Sequence, residues 1–373
     1  MSSSAPISQI EILDASQNAA WTDVLAECAA HDFYHLPGYH ALAERRGEGE
    51  ARLFVYRDEA GVIALPLLIR ALETVPGLEE AGRGWCDANS VYGYAGPIAS
   101  SAIPATKTVA GFQTALQSSL REMRVASLFS RLHPLLPQRE IVTGLGDYVP
   151  SGTTVSIDLT LPLDEQRRRV RAEHRRIAQK GREAGLVVVE DVEKRYLARF
   201  VEIYLQNMQR VDASGYYFFD RAYFDELLAS LDGSARLFVV LSGEEVAAGA
   251  LFVFTGDIVQ YHLSGTSQEF MRMGPTKLLL DEVRIATTKD GRKTLHLGGG
   301  LGGQRDSLFL FKSGFSDRTH EFAVWRWIID EEKYDALTEA RARWCGHAGM
   351  TLAGGDFFPL YRATASAGTG DTL

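Results

Sequence analysis

Lys312 follows Phe309, Leu310 and Phe311, so its amine emerges from an apolar element. A cation held there can neutralise a phosphate, or the oxyanion that forms when an amine attacks an ester or thioester carbonyl. Upstream, the run YHLSGTS carries Tyr261, His262 and Ser264. With a strand's period of two, Tyr261 and Leu263 point to one face, His262 and Ser264 to the other. Tyr261 can bond an acceptor or give a proton to a leaving group; His262 can take an amine's proton, directly or through water. The plainer alternatives are a lysine snorkelling at a strand end and a part-buried tyrosine and histidine in a core.

Between these residues lies a helix start at Gly274-Pro275, where unpaired backbone N–H groups favour bound negative charge. A glycine run follows at Gly298, Gly299 and Gly300, then Gly302 and Gly303, and lets backbone approach a ligand closely. It lacks the Lys-Ser/Thr ending of a nucleotide-binding P-loop, which excludes an ATPase of that type. Earlier, WCDANSVYGYAGP gathers Asp87, Asn89, Tyr92 and Tyr94, candidates for a polar ligand, and DFYHLPGYH adds Tyr34, His35 and Tyr39. Eight basic residues and one acid, Glu173, lie between Arg167 and Arg182. On one continuous helix Arg168, Arg171, Arg175 and Arg182 share a face and form a phosphate-facing stripe, although a solvated face gives the same pattern. Arg210 and Tyr217, in and beside the aromatic linker ASGYYFF, can hold an acceptor by ion pairing and stacking.

The elements that position these residues read as two similar series. The first comprises a strand over 7–13, a helix over 19–30, a hairpin over 53–70, a strand in SVYGYAGP, a helix over 106–123 and a buried strand over 125–136. After the turn-rich 144–152 come a strand over 153–160, one long polar helix over 161–185 closed by Gly185, and a strand over 186–192. Helices over 193–210 and 221–231, a three-strand meander turning at Gly243 and Gly256, a helix over 275–288 and a strand over 293–300 complete the series. Further strands are expected in SLFLFKSGF and HEFAVWRWIID, then a tail helix over 331–347 and a strand in FFPLYRA that packs back on the first domain. The fold class is α/β, with two tandem domains, each a mixed, mostly antiparallel sheet flanked by helices. The boundaries are 1–150, completed by 345–373, and 151–344, which includes the arginine-rich helix.

The wording and order of YHLSGTS, the Gly-Pro helix start, HLGGG and FKSGF resemble the Fem family of peptidoglycan-bridge aminoacyltransferases, and its soluble bacterial relatives grouped with GNAT proteins. FVEIYLQNMQRVDASGYYFFDRAYFDELL resembles that family's paired helices with an aromatic linker, and RRIAQKGREAGLVVV its arginine-rich helix. The resemblance runs over 33–327. It implies two tandem GNAT-like (acyl-CoA N-acyltransferase) domains and an aminoacyltransferase. Lys312, Tyr261 and His262 would be its catalytic residues, with Asp87, Tyr92, Arg210, Tyr217, Ser264, Gly274 and Gly299 binding substrate and Arg168, Arg171 and Arg175 meeting tRNA. The loop QEFMRMGP lacks the second glycine of the usual coenzyme A signature, so the donor expected is aminoacyl-tRNA, with acyl-CoA the alternative. The acceptor is an amine on a peptide, peptidoglycan precursor or small metabolite; for the acyl-CoA reading it is an amino sugar or metabolite. A binding module that has lost catalysis is the third reading.

Composition fits this. Hydrophobic residues make up 46% of 373 and charged residues 23%, near the globular averages. A net charge of −9 opposes indiscriminate binding to nucleic acid, the arginine-rich segment being the local exception, and no DNA partner is expected. Three widely spaced cysteines, Cys28, Cys86 and Cys345, suggest neither a disulfide framework nor a zinc site, so no metal and no tightly held cofactor are expected. The start lacks a basic segment followed by an apolar run, and no stretch supplies the roughly 18 apolar residues of a membrane span, so a cytoplasmic location without membrane insertion is expected.

Overall fold

Alternation along two long strands builds the first unit. On Glu50–Asp58 and Gly61–Ala71, Leu53, Val55, Val62 and Ala64 turn to one face of the sheet, while Phe54, Tyr56, Ile63, Leu65 and Leu67 turn to the other. The helix Asn18–Glu27 covers the first face with Trp21, Val24 and Leu25, and Thr106–Glu122 covers the second with Phe112, Leu116 and Leu120. Each such side chain, fully buried, contributes about 1.5–3 kcal/mol of transfer free energy. The structure is a computed structural model that describes residues 10–352 and 355–367. It divides into one unit of Met1–Pro150 with Ala323–Leu373 and a second of Ser151–Phe322.

In the first unit the strand order is Glu11–Asp14, Glu50–Asp58, Gly61–Ala71, Cys86–Asn89, Val125–Arg131, then the Val324–Ile328 part of Thr319–Ile328. All neighbours are antiparallel except Cys86–Asn89 with Val125–Arg131, which the helix Thr106–Glu122 connects. The C-terminal helix Glu331–His347 and the turn Leu360–Arg362 pack on the same unit through Leu337 and Tyr361, against Leu72, Leu78 and Ala126.

The second unit repeats the plan. Its order is the 151–158 part of Asp147–Asp158, Thr294–Gly299, Ile258–Thr266, Glu245–Thr255, Ala235–Ser242, Leu186–Glu190, again with one parallel pair, Ile258–Thr266 beside Thr294–Gly299, joined by the helix Pro275–Lys289. Leu278, Leu279 and Val283 of that helix meet Phe238, Phe252, Val259 and Leu295. Leu197–Arg210 lies close against the sheet because Gly249 and Gly265 leave room: a Cβ at Gly249 would come 2.6 Å from the Phe200 ring, and one at Gly265 3.1 Å from Tyr204 Cα.

Several expectations change. The strand expected over 7–13 occupies Glu11–Asp14; residues 7–9 lie outside the described residues. SVYGYAGP is a loop between the short strands Cys86–Asn89 and Ile98–Ala99, because Gly93 and Gly96 take positive φ. SLFLFKSGF contains a helix, Ser307–Lys312, because the Asp306 carboxylate accepts the Phe309 N–H and caps it. The arginine-rich helix is two, Leu163–Arg169 and Ala172–Glu183, broken where Val170 and Arg171 are extended. FFPLYRA holds a tight turn rather than a strand, and the chain returns to the first unit at Ala323 rather than at 345.

Candidate active site

The parallel pair of the second unit opens. Ile258, Val259 and Gln260 pair with Thr294, Leu295 and His296, and the ladder stops there although both strands continue, to Thr266 and Gly299. Two bulges accompany the opening. His262 is an extra residue against the neighbouring strand, and Leu297 is one against Asp147–Asp158. Gln260 and His296 pin the last closed pair: His296 Nδ1 donates to Gln260 Oε1 at 2.7 Å, both side chains buried. The bulge corrects the expected facing. It turns Tyr261 and Ser264 to one side, and the Tyr261 hydroxyl donates to Ser264 Oγ at 2.6 Å. Burial pushes the Tyr261 phenol up to about 12 despite that bond, so it stays a proton donor throughout the neutral range.

Lys312 belongs to the other strand's continuation. Its helix is only Ser307–Lys312, and the amine reaches back to donate to the Gly299 carbonyl at 2.7 Å. Its side chain is 9% exposed, and burial lowers its pKa to about 8 against the opposing pull of Asp306. An ammonium has three N–H donors, and Gly299 takes one. The glycines beside it are there for close approach: a Cβ on Gly299 would sit 2.7 Å from Thr153 O, and one on Gly300 2.3 Å from Asp306 Oδ1.

Sequence reasoning missed what anchors this helix. His174 Nε2 donates to Phe311 O at 3.0 Å, the Arg171 N–H donates to Gly314 O at 2.7 Å, and the His174 ring meets Phe315 edge-on. Gly314 admits that ring, since a Cβ would come 2.4 Å from Nε2. Burial first, then the positive charges of Lys277 and Arg171, lowers the His174 pKa. The helix cap was legible, as an aspartate three residues before an apolar N3 position; the histidine contact, 137 residues away in sequence, was not.

Gly274 is left-handed, at φ 59°, and starts the helix Pro275–Lys289 that links the opened strands. Thr276 and Thr266 hydroxyls bond each other at 2.7 Å. Three N–H groups around the helix start are spent locally: Phe270 donates to Ser267 O, Gly274 to Met271 O and Lys277 to Gly274 O, while Pro275 has none to offer.

The arginine stripe does not form, because the helix breaks. Arg175 donates to the carbonyls of Arg167, Arg168 and Val170, and so caps the helix before it. Arg182 pairs with Asp281 and Glu282. Arg168 and Arg171 remain exposed, with Arg176 and Lys180. Arg210 is exposed and bonds Asn207, and the Tyr217 carbonyl accepts the Tyr204 hydroxyl at 2.7 Å.

In the first unit Asp87 is fully buried, and both its oxygens are taken by Arg70 and Arg362, each guanidinium gripping it twice. Its role there is to hold arginines. The Tyr92 carbonyl accepts the Tyr39 hydroxyl at 3.0 Å. Here the parallel pair stays shut: past Asn89 and Phe129, the Ser90 N–H donates to Phe129 O, Ser90 Oγ accepts the Arg131 N–H, and Ala95 bridges Leu132. The parallel pairing thus stops at Gln260 and His296 in the second unit, while in the first it is carried on past Asn89 and Phe129. Among the described residues no group of three or more His, Cys, Asp or Glu side chains can hold a metal, and no helix is long and apolar enough to cross a membrane.

Residues 164–305 match a family described as the acetyltransferase (GNAT) domain. The fold is GNAT-like. FemX superimposes with a TM-score of 0.66 at 14% identity, over 87% of this chain and 99% of that one. The C-terminal domain of a putative lysylphosphatidylglycerol synthetase from Agrobacterium fabrum does so at 0.54 and 14%, over 84% and 92%. L-PGS from Bacillus licheniformis gives 0.53 and 12%, over 87% and 96%. No curated protein matches the sequence. The expectations of a GNAT-like fold, of a likeness to a Fem-type structure and of an N-acyltransferase domain all agree with these findings.

Proposed function

We propose that this protein transfers an aminoacyl group from aminoacyl-tRNA to an amine of a peptide, peptidoglycan precursor or small metabolite. The observation that carries the proposal is the opened parallel pair of the GNAT-like second unit, with the Tyr261 hydroxyl on one strand and the Lys312 amine anchored at the end of the other. An ester carbonyl seated in that opening would be attacked by the acceptor amine. The Lys312 ammonium would stabilise the oxyanion, and collapse would break the bond to the ribose oxygen, which takes its proton from Tyr261. The amine's surplus proton leaves to solvent or to His262. Orientation of the two reactants supplies much of the acceleration, so no covalent nucleophile is needed.

The donor is argued from the loop before Pro275. A coenzyme A pyrophosphate is cradled by free N–H groups, and here Phe270, Gly274 and Lys277 donate theirs inward. The exposed Arg168, Arg171, Arg176 and Lys180 of the same unit suit a nucleic-acid backbone instead. One structural neighbour, a putative lysylphosphatidylglycerol synthetase, carries a name that describes an aminoacylated lipid product, in keeping with an aminoacyl donor. Acyl-CoA is the second reading, favoured by the acetyltransferase family match.

The deciding experiment offers a radiolabelled mixture of charged tRNAs, or labelled acetyl-CoA, to the protein with an amine-containing extract, alongside Lys312→Ala. RNase-sensitive transfer lost in the variant supports the proposal. Transfer from acetyl-CoA alone moves the donor to the second reading, and binding of charged tRNA without transfer identifies a module that has lost catalysis.

A further inference from the structure

The Lys312 amine is held by a short helix and a glycine turn, and one side chain joins the two. Asp306 Oδ1 accepts the Phe309 N–H at 2.9 Å, which caps Ser307–Lys312. Asp306 Oδ2 accepts the Leu301 N–H at 3.0 Å, in the turn that follows Gly299 and Gly300. The fit is tight: a methyl group on Gly300 would collide with Oδ1 at 2.3 Å. The path from Gly299 through the turn to Asp306, along the helix to Lys312 and back to the Gly299 carbonyl is a closed ring, and the carboxylate is its cross-brace.

We infer that Asp306 is a positioning residue, tying the glycine turn to the helix that carries Lys312 and so fixing where that amine sits. The inference rests on the proposed role of Lys312 for its functional meaning, but not for its geometry. The Asp306 charge also acts on the Lys312 amine, favouring the ammonium against burial. Its own carboxyl is held below the usual range: burial raises it, and the N–H groups of Phe309, Leu301 and Leu308 outweigh that. The brace therefore stays ionised at neutral pH.

Two substitutions separate bracing from capping. Asp306→Asn keeps an oxygen for the Phe309 N–H but removes the charge. Asp306→Ser keeps a helix-capping hydroxyl that is too short to reach Leu301 as well. In protein labelled with 13C at the lysine ε-carbons, with Lys312→Arg assigning the signal, the Lys312 titration midpoint moves down in Asp306→Asn. In Asp306→Ser the Leu301 amide exchanges its hydrogen about tenfold faster, as expected for losing a hydrogen bond worth about 1.4 kcal/mol. An unchanged midpoint in the first variant, or unchanged Leu301 exchange in the second, overturns the inference. Neither readout uses a donor, so both shifts would stand even if no acyl transfer were found; transfer with neither shift would sink this inference alone.

Discussion

Tyr261 and Ser264 are hydroxyl partners at 2.6 Å because the strand between them carries one residue too many. The bulge at His262 puts both on one side of the strand, just beyond the last closed pair of Gln260 with His296, and Ser264 holds the phenol's orientation. Removing the hydroxyl with Tyr261→Phe is expected to lower kcat for transfer by about 100-fold, the usual size of a lost proton donor. Ser264→Ala costs less, because the phenol remains and loses only its orientation. Steady-state rates for both variants check this order, and a Ser264→Ala loss exceeding that of Tyr261→Phe would remove Tyr261 from the role.

Lys312 is costly to the fold. Its amine has an ordinary value of 10.5 and is lowered to about 8 by burial, so the unfolded chain binds a proton more readily than the native one between those values. Stability from this site therefore rises with pH from 8 to 10.5, and below pH 8 the buried ammonium is a penalty of about 3 kcal/mol. Lys312→Met should raise the urea midpoint of the protein at pH 7 while abolishing transfer. A variant that is both less stable and inactive would mean the lysine is structural.

The same value sets the rate profile. If the ammonium is the working form, transfer falls as pH rises through about 8, and Lys312→Arg, slower throughout, loses that falling limb. An alkaline limb that survives in the arginine variant would assign it to another group. Rates corrected for spontaneous ester hydrolysis at each pH give the answer.

Much of this was legible from residue order, because periodicity reports the face a side chain takes. The hairpin, the meander and the helix after Gly274 all follow from it. The failures share a cause, which is local polar chemistry overriding pattern. Asp306 turned an apolar strand-like run into a helix, the extended Val170 and Arg171 broke a uniform arginine helix, and a bulge reversed the facing of Ser264. Contacts far apart in sequence, such as His174 with Phe311 and Asp87 with Arg362, leave no local trace at all.

Asp87 provides a prediction of structural type. Its carboxylate lies between two guanidiniums with no exposure of its own, and Arg362 fastens the C-terminal turn through it. Asp87→Asn leaves two half-buried cations facing each other, and a stability loss of about 3–5 kcal/mol is expected, as for other broken buried pairs. Urea unfolding followed by the tryptophans of the first unit measures it. A loss under 1 kcal/mol, together with a raised KM for the acceptor, would return Asp87 to substrate binding.

The first unit also contains two histidines that burial keeps neutral well below the usual imidazole range. Burial pushes His40 down to about 4, and burial with the neighbouring His133 pushes His35 down to about 3. The bonds fix the neutral forms: His35 Nδ1 accepts the Asp32 N–H, and His40 Nε2 donates to Tyr34 O at 2.9 Å. In the unfolded chain both rings titrate near 6.5, so as pH falls below that value the unfolded state takes up protons that the native state refuses. The stability they support is complete above pH 6.5 and declines toward pH 4, with a slope of up to about 1.4 kcal/mol per pH unit for each ring. His40→Gln can donate to Tyr34 without titrating, and whatever its stability at pH 7 its slope between pH 6.5 and 4 should be shallower by about that amount. Urea midpoints at four pH values give both slopes. Parallel slopes in the variant and the wild type would show that His40 is protonated in the folded protein and that its pocket is wetter than the packing around Trp21 implies.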